Sequence, residues 1–292
     1  MIQAETQTRN RLNITAGCAS VAVALCLVIA KGWAFATTES LSVAASLIDS
    51  AMDLAISAAG LLGIFYASKP PDEEHAFGHT SVEDLIALAQ SVLVGITGLA
   101  IAAQALMRLP SPAPLRAESE GLAVMGFSIV LTLALVIWQG RVAAQTGSRI
   151  VAADRLHYLS DLLPAAGAMA ALYASKQHGI GWLDPVIALV ACGILLFGAA
   201  SIGRGAWDAL MDRRADRGQI ARVEKIITGF PGVCGFHDLK TRTAGSRVFI
   251  QVHLEIDGDL TLHEAHAVGA RVKRAIVAEL PDADVLIHKD PV

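Results

Sequence analysis

Residues 41–67 read LSVAASLIDSAMDLAISAAGLLGIFYA. Only Asp49 and Asp53 carry charge in this run, and it is long enough to cross a bilayer core, which takes about 20 apolar residues of helix. An ionised side chain at mid-bilayer costs at least ~2.5–3.5 kcal/mol, so two in one spanning segment mark a functional site. Their i, i+4 spacing sets both on one helix face. A second run, 150–175, reads IVAADRLHYLSDLLPAAGAMAALYAS and repeats the device with His157 and Asp161. Facing each other, the two pairs offer one imidazole and three carboxylates, a four-ligand set suited to tetrahedral zinc. A divalent ion, or protons in its place, relieves the crowding of three carboxylates. The plainer alternative, a watery crevice or pairing with Lys31 or Arg155, leaves the matched spacing of the two pairs unexplained.

Four more apolar runs, 12–36, 82–107, 121–139 and 183–207, bring the expected membrane helices to six. Of the 292 residues, 54% are hydrophobic and 17% charged, with a mean hydropathy of +0.52; a soluble chain carries about a quarter charged. Breakers fall between the runs: Lys69-Pro70-Pro71, then Pro110, Pro112 and Pro114, then Gly179 and Gly181. Asp184-Pro185 reads as a helix start. The first run is too long for the apolar core of a secretory signal. Arg9, Arg11, Lys69, Arg141, Arg149, Arg204, Arg213 and Arg214 gather on one side, against Arg108, Arg116 and Lys176 on the other. That bias puts both termini in the cytoplasm. Trp33, Trp182 and Trp207 fall near helix ends, as interfacial anchors do.

The remainder reads as a small soluble domain, dividing the chain into a membrane domain, 1–211, and a cytoplasmic one, 212–292. A helix over 219–230 and a strand over 233–240 come first. Val248, Ile250, Val252, Leu254 and Ile256 then alternate as one face of a strand. A helix over 262–280 and a strand over 285–288 complete an α-β-β-α-β order, a small open-faced sandwich at the low end of domain size. A net charge of −4 supplies no basic stripe for nucleic acid. Cys18, Cys26, Cys192 and Cys234 show no paired spacing, so neither a disulfide framework nor a zinc ribbon is expected. His263-Glu-Ala-His266 is not a zinc-protease HExxH, and no GxxxxGK[ST] loop for a nucleotide is present.

The run 42–53, SVAASLIDSAMD, resembles the second helix of the cation diffusion facilitator family, and 154–161, DRLHYLSD, resembles its fifth. The run 71–79, PDEEHAFGH, is similar to the loop between helices two and three in the family's bacterial zinc/iron efflux branch. In the tail, GFHDL at 235–239, QVHLE at 251–255 and IHKDP at 287–291 resemble the family's cytoplasmic metal-binding segments. The resemblance implies a transport site of Asp49, Asp53, His157 and Asp161, and a loop metal site of Asp72, His75 and His79. It also implies a dimer-stabilising site, for one ion or two, drawn from His237, His253, His266, His288 and Asp290, on a ferredoxin-like tail of the metallochaperone kind. His253 points away from the apolar strand face and is free to coordinate; His263 has no counterpart and reads as a surface histidine. Where the efflux branch commonly has a basic residue in a charge interlock at the dimer contact, this chain has Thr80 and Ser81.

By the same resemblance the chain is a homodimeric metal/proton antiporter of a bacterial inner membrane. It would export Zn²⁺, with Fe²⁺ or Cd²⁺ as further cargo, by alternating access. Metal ligands must be deprotonated to bind, so metal and proton movements are chemically linked, and His157 is the natural shuttle. Two other classes compete. A membrane metallohydrolase would use a similar ligand set to activate water, but the set is saturated and no base lies nearby. A membrane-anchored metal sensor would not need four ligand-type residues at membrane depth.

Overall fold

The computed structural model describes residues 2–38, 41–108, 119–178 and 183–292. Pro110, Pro112, Pro114, Arg116, Gly179, Gly181 and Trp182 lie outside them. The chain divides into two compact units, Thr8–Ala206 and Trp207–Val292 with Met1–Gln7.

The first unit is built from six helices: α1 (Ile2–Thr38), α2 (Leu41–Ala67), α3 (Ser81–Arg108), α4 (Ser119–Thr146), α5 (Arg149–His178) and α6 (Leu183–Leu210). Among the described residues, five contain stretches long and apolar enough to cross a membrane: Gln7–Thr37, Ser46–Ala67, Ser81–Met107, Gly126–Thr146 and Pro185–Leu210. The sequence reading expects six. The helix that falls short in apolar content is α5, because Arg149, Asp154, Arg155, His157 and Asp161 crowd its first half. It is packed against α2, α3 and α4, with Asp154 and His157 buried and Arg155 and Asp161 exposed.

The distribution of polarity is inverted relative to a water-soluble protein. Phe197, Trp33 and Leu62 are 79%, 73% and 67% exposed, whereas Ser20, Gln139 and Asp84 are fully buried. A surface this apolar suits hydrocarbon, and the helices keep their own backbone groups bonded there. Small residues let helices approach: a Cβ on Gly17 of α1 would lie 2.9 Å from Leu61 of α2. Asp84 at the start of α3 pairs with Arg149 at the start of α5, and Arg9 of α1 donates to the Thr146 carbonyl at 2.8 Å. Thr80 and Ser81 stand at the entry to α3.

In the second unit, α7 (Arg217–Thr228), β1 (Gly235–Ala244), β2 (Arg247–Ile256), α8 (Leu262–Glu279) and β3 (Ala283–Pro291) follow the expected order. The sheet runs β1-β2-β3, with β1 and β2 antiparallel and β2 and β3 parallel across α8. Val248, Ile250, Val252, Leu254 and Ile256 pack with Val223 and Ile227 of α7 and Val268, Val272 and Ile276 of α8. A capping box between Thr261 and Glu264 starts α8, satisfying backbone donors that have no partner within the helix. Two strands outrun their expected bounds. β1 continues to Ala244 because its polar residues pair with β2 at an edge, where no apolar alternation is needed. β3 reaches Pro291, which brings Asp290 into the sheet.

Candidate metal centres

Ligand-type atoms of Asp53, His157 and Asp161 lie within 4.8 Å of one another. Asp53 is on α2 and the other two are on α5, so the helix pairing anticipated from the matched spacing is what joins them. The buried His157 Nε2 stands 3.2 Å from Asp53 Oδ1. Asp49 is exposed one turn before Asp53, outside the cluster of three. Neither cation weighed as a partner takes up the carboxylates directly. Lys31 donates to Ser46 O at 3.2 Å and Ser50 Oγ at 2.7 Å, and the Arg155 guanidinium lies over Gly140.

The loop between α2 and α3 forms a second cluster, Asp72, His75 and His79, with ligand atoms again within 4.8 Å. Asp72 Oδ1 accepts from the backbone N–H of His75 at 2.7 Å and of Glu74 at 3.1 Å, a turn that fixes the carboxylate. Gly78, at φ 87°, takes the left-handed turn that brings His79 back. His79 Nε2 comes to 3.2 Å from Asp72 Oδ2, and the two imidazole centroids are 4.5 Å apart. Tyr66 packs edge-on against His79 at 4.7 Å, and the buried His79 Nδ1 lacks a partner among the described residues.

The His75 backbone N–H, with smaller help from the His79 and His75 charges, holds the Asp72 carboxyl below its ordinary range. A depressed carboxyl stabilises the turn above its ordinary pKa, and that support goes as the pH falls through the lowered value. Asp72→Asn keeps the turn acceptor and removes the charge. Calorimetric metal titration of that variant should show the loop equivalent weakened at least ~tenfold, as loss of a charged ligand costs more than loss of a supporting group. Unchanged binding would remove Asp72 from the site.

The third cluster is laid out by the sheet. His237, His253 and His288 occupy one row across β1, β2 and β3, on the face opposite the helices. Asp290, two residues beyond His288 on that face, lies 3.2 Å from His237 Nε2, 2.9 Å from His253 Nδ1 and 3.1 Å from His288 Nε2. The His253 hydrogen bond is the main cause holding the Asp290 carboxyl low. A carboxylate ringed by three imidazoles is a donor set for a borderline cation. A bulge follows His237, with Asp238 at φ 51°. His266 is not brought to this row. It is exposed on α8 and makes no hydrogen bond or ion pair among the described residues. His263 is also exposed, and all four cysteines are free.

One buried network went unassigned by sequence reasoning: Ser20 of α1, Gln139 of α4, and Asp154 and Tyr158 of α5. The signal was available, since Asp154 is an ionisable residue in an apolar bundle, but it has no i+4 ligand partner to single it out.

The comparisons with known proteins agree across the length of the chain. The family described as cation efflux transmembrane domain matches residues 18–211, and that described as cation efflux protein, cytoplasmic domain, matches 215–292. The chain is similar to proteins named cation-efflux pump FieF. The Salmonella arizonae protein is 38% identical over 98% of this chain and 95% of its own, and the Klebsiella pneumoniae protein 39% over the same shares. The Cronobacter sakazakii protein is 38% identical over 96% and 93%. With both of its parts matched and its relatives aligned nearly end to end, this chain belongs to the cation diffusion facilitator family of cation efflux transporters.

Proposed function

We propose that the chain is a homodimeric secondary transporter of a bacterial inner membrane, exporting Zn²⁺, and with it Fe²⁺ or Cd²⁺, in exchange for protons. The observation that carries this reading is the approach of Asp53, His157 and Asp161 within 4.8 Å, with the buried His157 Nε2 3.2 Å from Asp53 Oδ1. Asp49 completes the set by a small shift of α2. One imidazole with carboxylates suits Zn²⁺, Cd²⁺ and Fe²⁺ and leaves the choice among them to geometry and supply. Cargo binding requires unprotonated ligands, so protons entering from the far side displace the ion, with His157 exchanging one of them.

In this reading α5 is the sixth spanning helix, with its Asp154 and His157 sheltered by α2, α3 and α4. Both termini and the loop cluster face the cytoplasm, and the division into membrane and cytoplasmic domains falls at 211/212. The loop and sheet clusters hold regulatory ions. His266, which its own chain keeps away from the histidine row, would reach that site from a second copy.

Reconstituted protein tested against a panel of divalent metals decides the matter. Zn²⁺, Cd²⁺ and Fe²⁺ should cross the vesicle membrane while Mg²⁺ and Ca²⁺ do not. A protein that binds these metals but moves none is the sensor or hydrolase instead.

The sheet cluster makes its own prediction. Ions that bind only the folded state stabilise it by mass action, by about 2.7 kcal/mol at a hundredfold excess over Kd. Zn²⁺ should therefore raise the melting temperature of the cytoplasmic unit within the full-length protein and tighten its dimer. His253→Ala combined with His288→Ala should abolish both effects while flux persists. Melting and sedimentation that ignore Zn²⁺ in the unmodified protein would refute the tail site.

A further inference from the structure

Asp154 lies three residues before His157 on α5 and is 5% exposed. Its Oδ2 accepts from Ser20 Oγ of α1 at 2.6 Å and from Gln139 Nε2 of α4 at 2.7 Å. Gln139 Nε2 also donates to Ser20 Oγ at 2.8 Å, so the donors of this triad are spent. Two acceptors remain. Asp154 Oδ1 and Gln139 Oε1 are both buried and without a partner among the described residues. No lysine or arginine forms an ion pair with Asp154 there; besides Ser20 and Gln139, the groups near it are His157 and Tyr158 on its own helix and the Ser57 hydroxyl of α2.

A carboxylate buried this deeply without a cation is the costly state, and such a group takes up a proton instead. A protonated carboxyl is a donor as well as an acceptor. One proton on Asp154 would satisfy both orphan oxygens at once, donated from Oδ1 to the amide oxygen of the residue whose N–H it already receives. We propose that Asp154 is a positioning residue for His157 and Asp161, held as a neutral carboxylic acid in a two-way acid–amide pair with Gln139. With Ser20, that pair fixes the rotation of α5 against α1 and α4.

Tyr158 extends the clamp. Its O–H donates to the Ser20 carbonyl at 3.0 Å, with Ser57 Oγ 2.8 Å away, so adjacent turns of α5 are tied to α1, α2 and α4. His157 and Asp161 ride on the same helix, and any rotation of α5 moves both relative to Asp53. The inference rests on the reading of these three residues as the transport site.

Infrared difference spectra of the full-length protein and Asp154→Asn supply a test independent of transport. The unmodified protein should show a protonated-carboxyl band that shifts in deuterated water, is lost in Asp154→Asn, and stays constant with Zn²⁺ and across the pH range of activity. In flux assays Asp154→Asn should stay within about twofold of the unmodified protein with the same pH profile. Its amide supplies both a donor to Gln139 and an acceptor to Ser20. Asp154→Leu, of similar size but without hydrogen bonds, should lose at least about tenfold. Absence of the band overturns the proposal, as does a folded Asp154→Asn that is inactive or shifted in pH, or an Asp154→Leu as active as the unmodified protein. Should Asp154→Leu fail to fold, the band and Asp154→Asn decide. Asp53→Ala is the control: flux surviving there defeats the transport site and leaves the infrared result standing on its own.

Discussion

Asp53→Ala and Asp161→Ala should each abolish metal flux in proteoliposomes, by at least about a hundredfold, while the protein stays folded. The magnitude follows from the small donor set. Groups that merely support a metal ligand cost about 10–100-fold when removed, and these two are among the atoms that converge within 4.8 Å. Each substitution also removes negative charge from a crowded site, so folding is not harmed by it; the loss falls on cargo binding. Flux is followed with a metal-sensitive dye inside the vesicles, and assembly by size-exclusion chromatography. Near-normal flux in either variant excludes that residue from the cargo path.

The second large effect is on selectivity. His157→Asp turns the site into an all-carboxylate set, which is harder and suits Mn²⁺-like ions better than Zn²⁺. His157 Nε2 is the soft donor at the centre of the cluster, 3.2 Å from Asp53, so its replacement should shift the Mn²⁺-to-Zn²⁺ transport ratio by at least about tenfold. Competition flux with both ions present measures the ratio directly. An unchanged preference for Zn²⁺ would show that selectivity is set by something other than the atoms touching the ion.

How much of this was legible beforehand depended on whether a residue's role is written in local spacing. Asp49 and Asp53, and His157 and Asp161, announce themselves by helical spacing inside apolar runs, and the alternation at 248–256 sets His253 on the open face of the sheet. Asp290 was found through resemblance, because the strand that holds it ends in Lys289-Asp290-Pro291 and shows no alternation. α5 is the least plainly written helix, because Arg149, Asp154, Arg155 and Asp161 lower the apolar content of its first half. Ser20, Gln139 and Tyr158 come from three helices far apart in sequence, and only packing shows that they meet Asp154. His266 illustrates the converse. Its motif is in the sequence, but a single chain does not bring it to the histidine row.

If protons moving inward through the Asp53–His157–Asp161 cluster drive the export of metal, the two movements must be visible in one preparation. Metal and pH are recorded together in the same proteoliposomes after Zn²⁺ is added on one side, with an outward or inward pH gradient imposed. Zn²⁺ entry should be accompanied by proton exit, a pH gradient alone should drive Zn²⁺ against its own gradient, and Asp53→Ala should silence both signals. Zn²⁺ movement that proceeds at the same rate with no proton counter-movement, whatever gradient is imposed, would contradict proton-driven export.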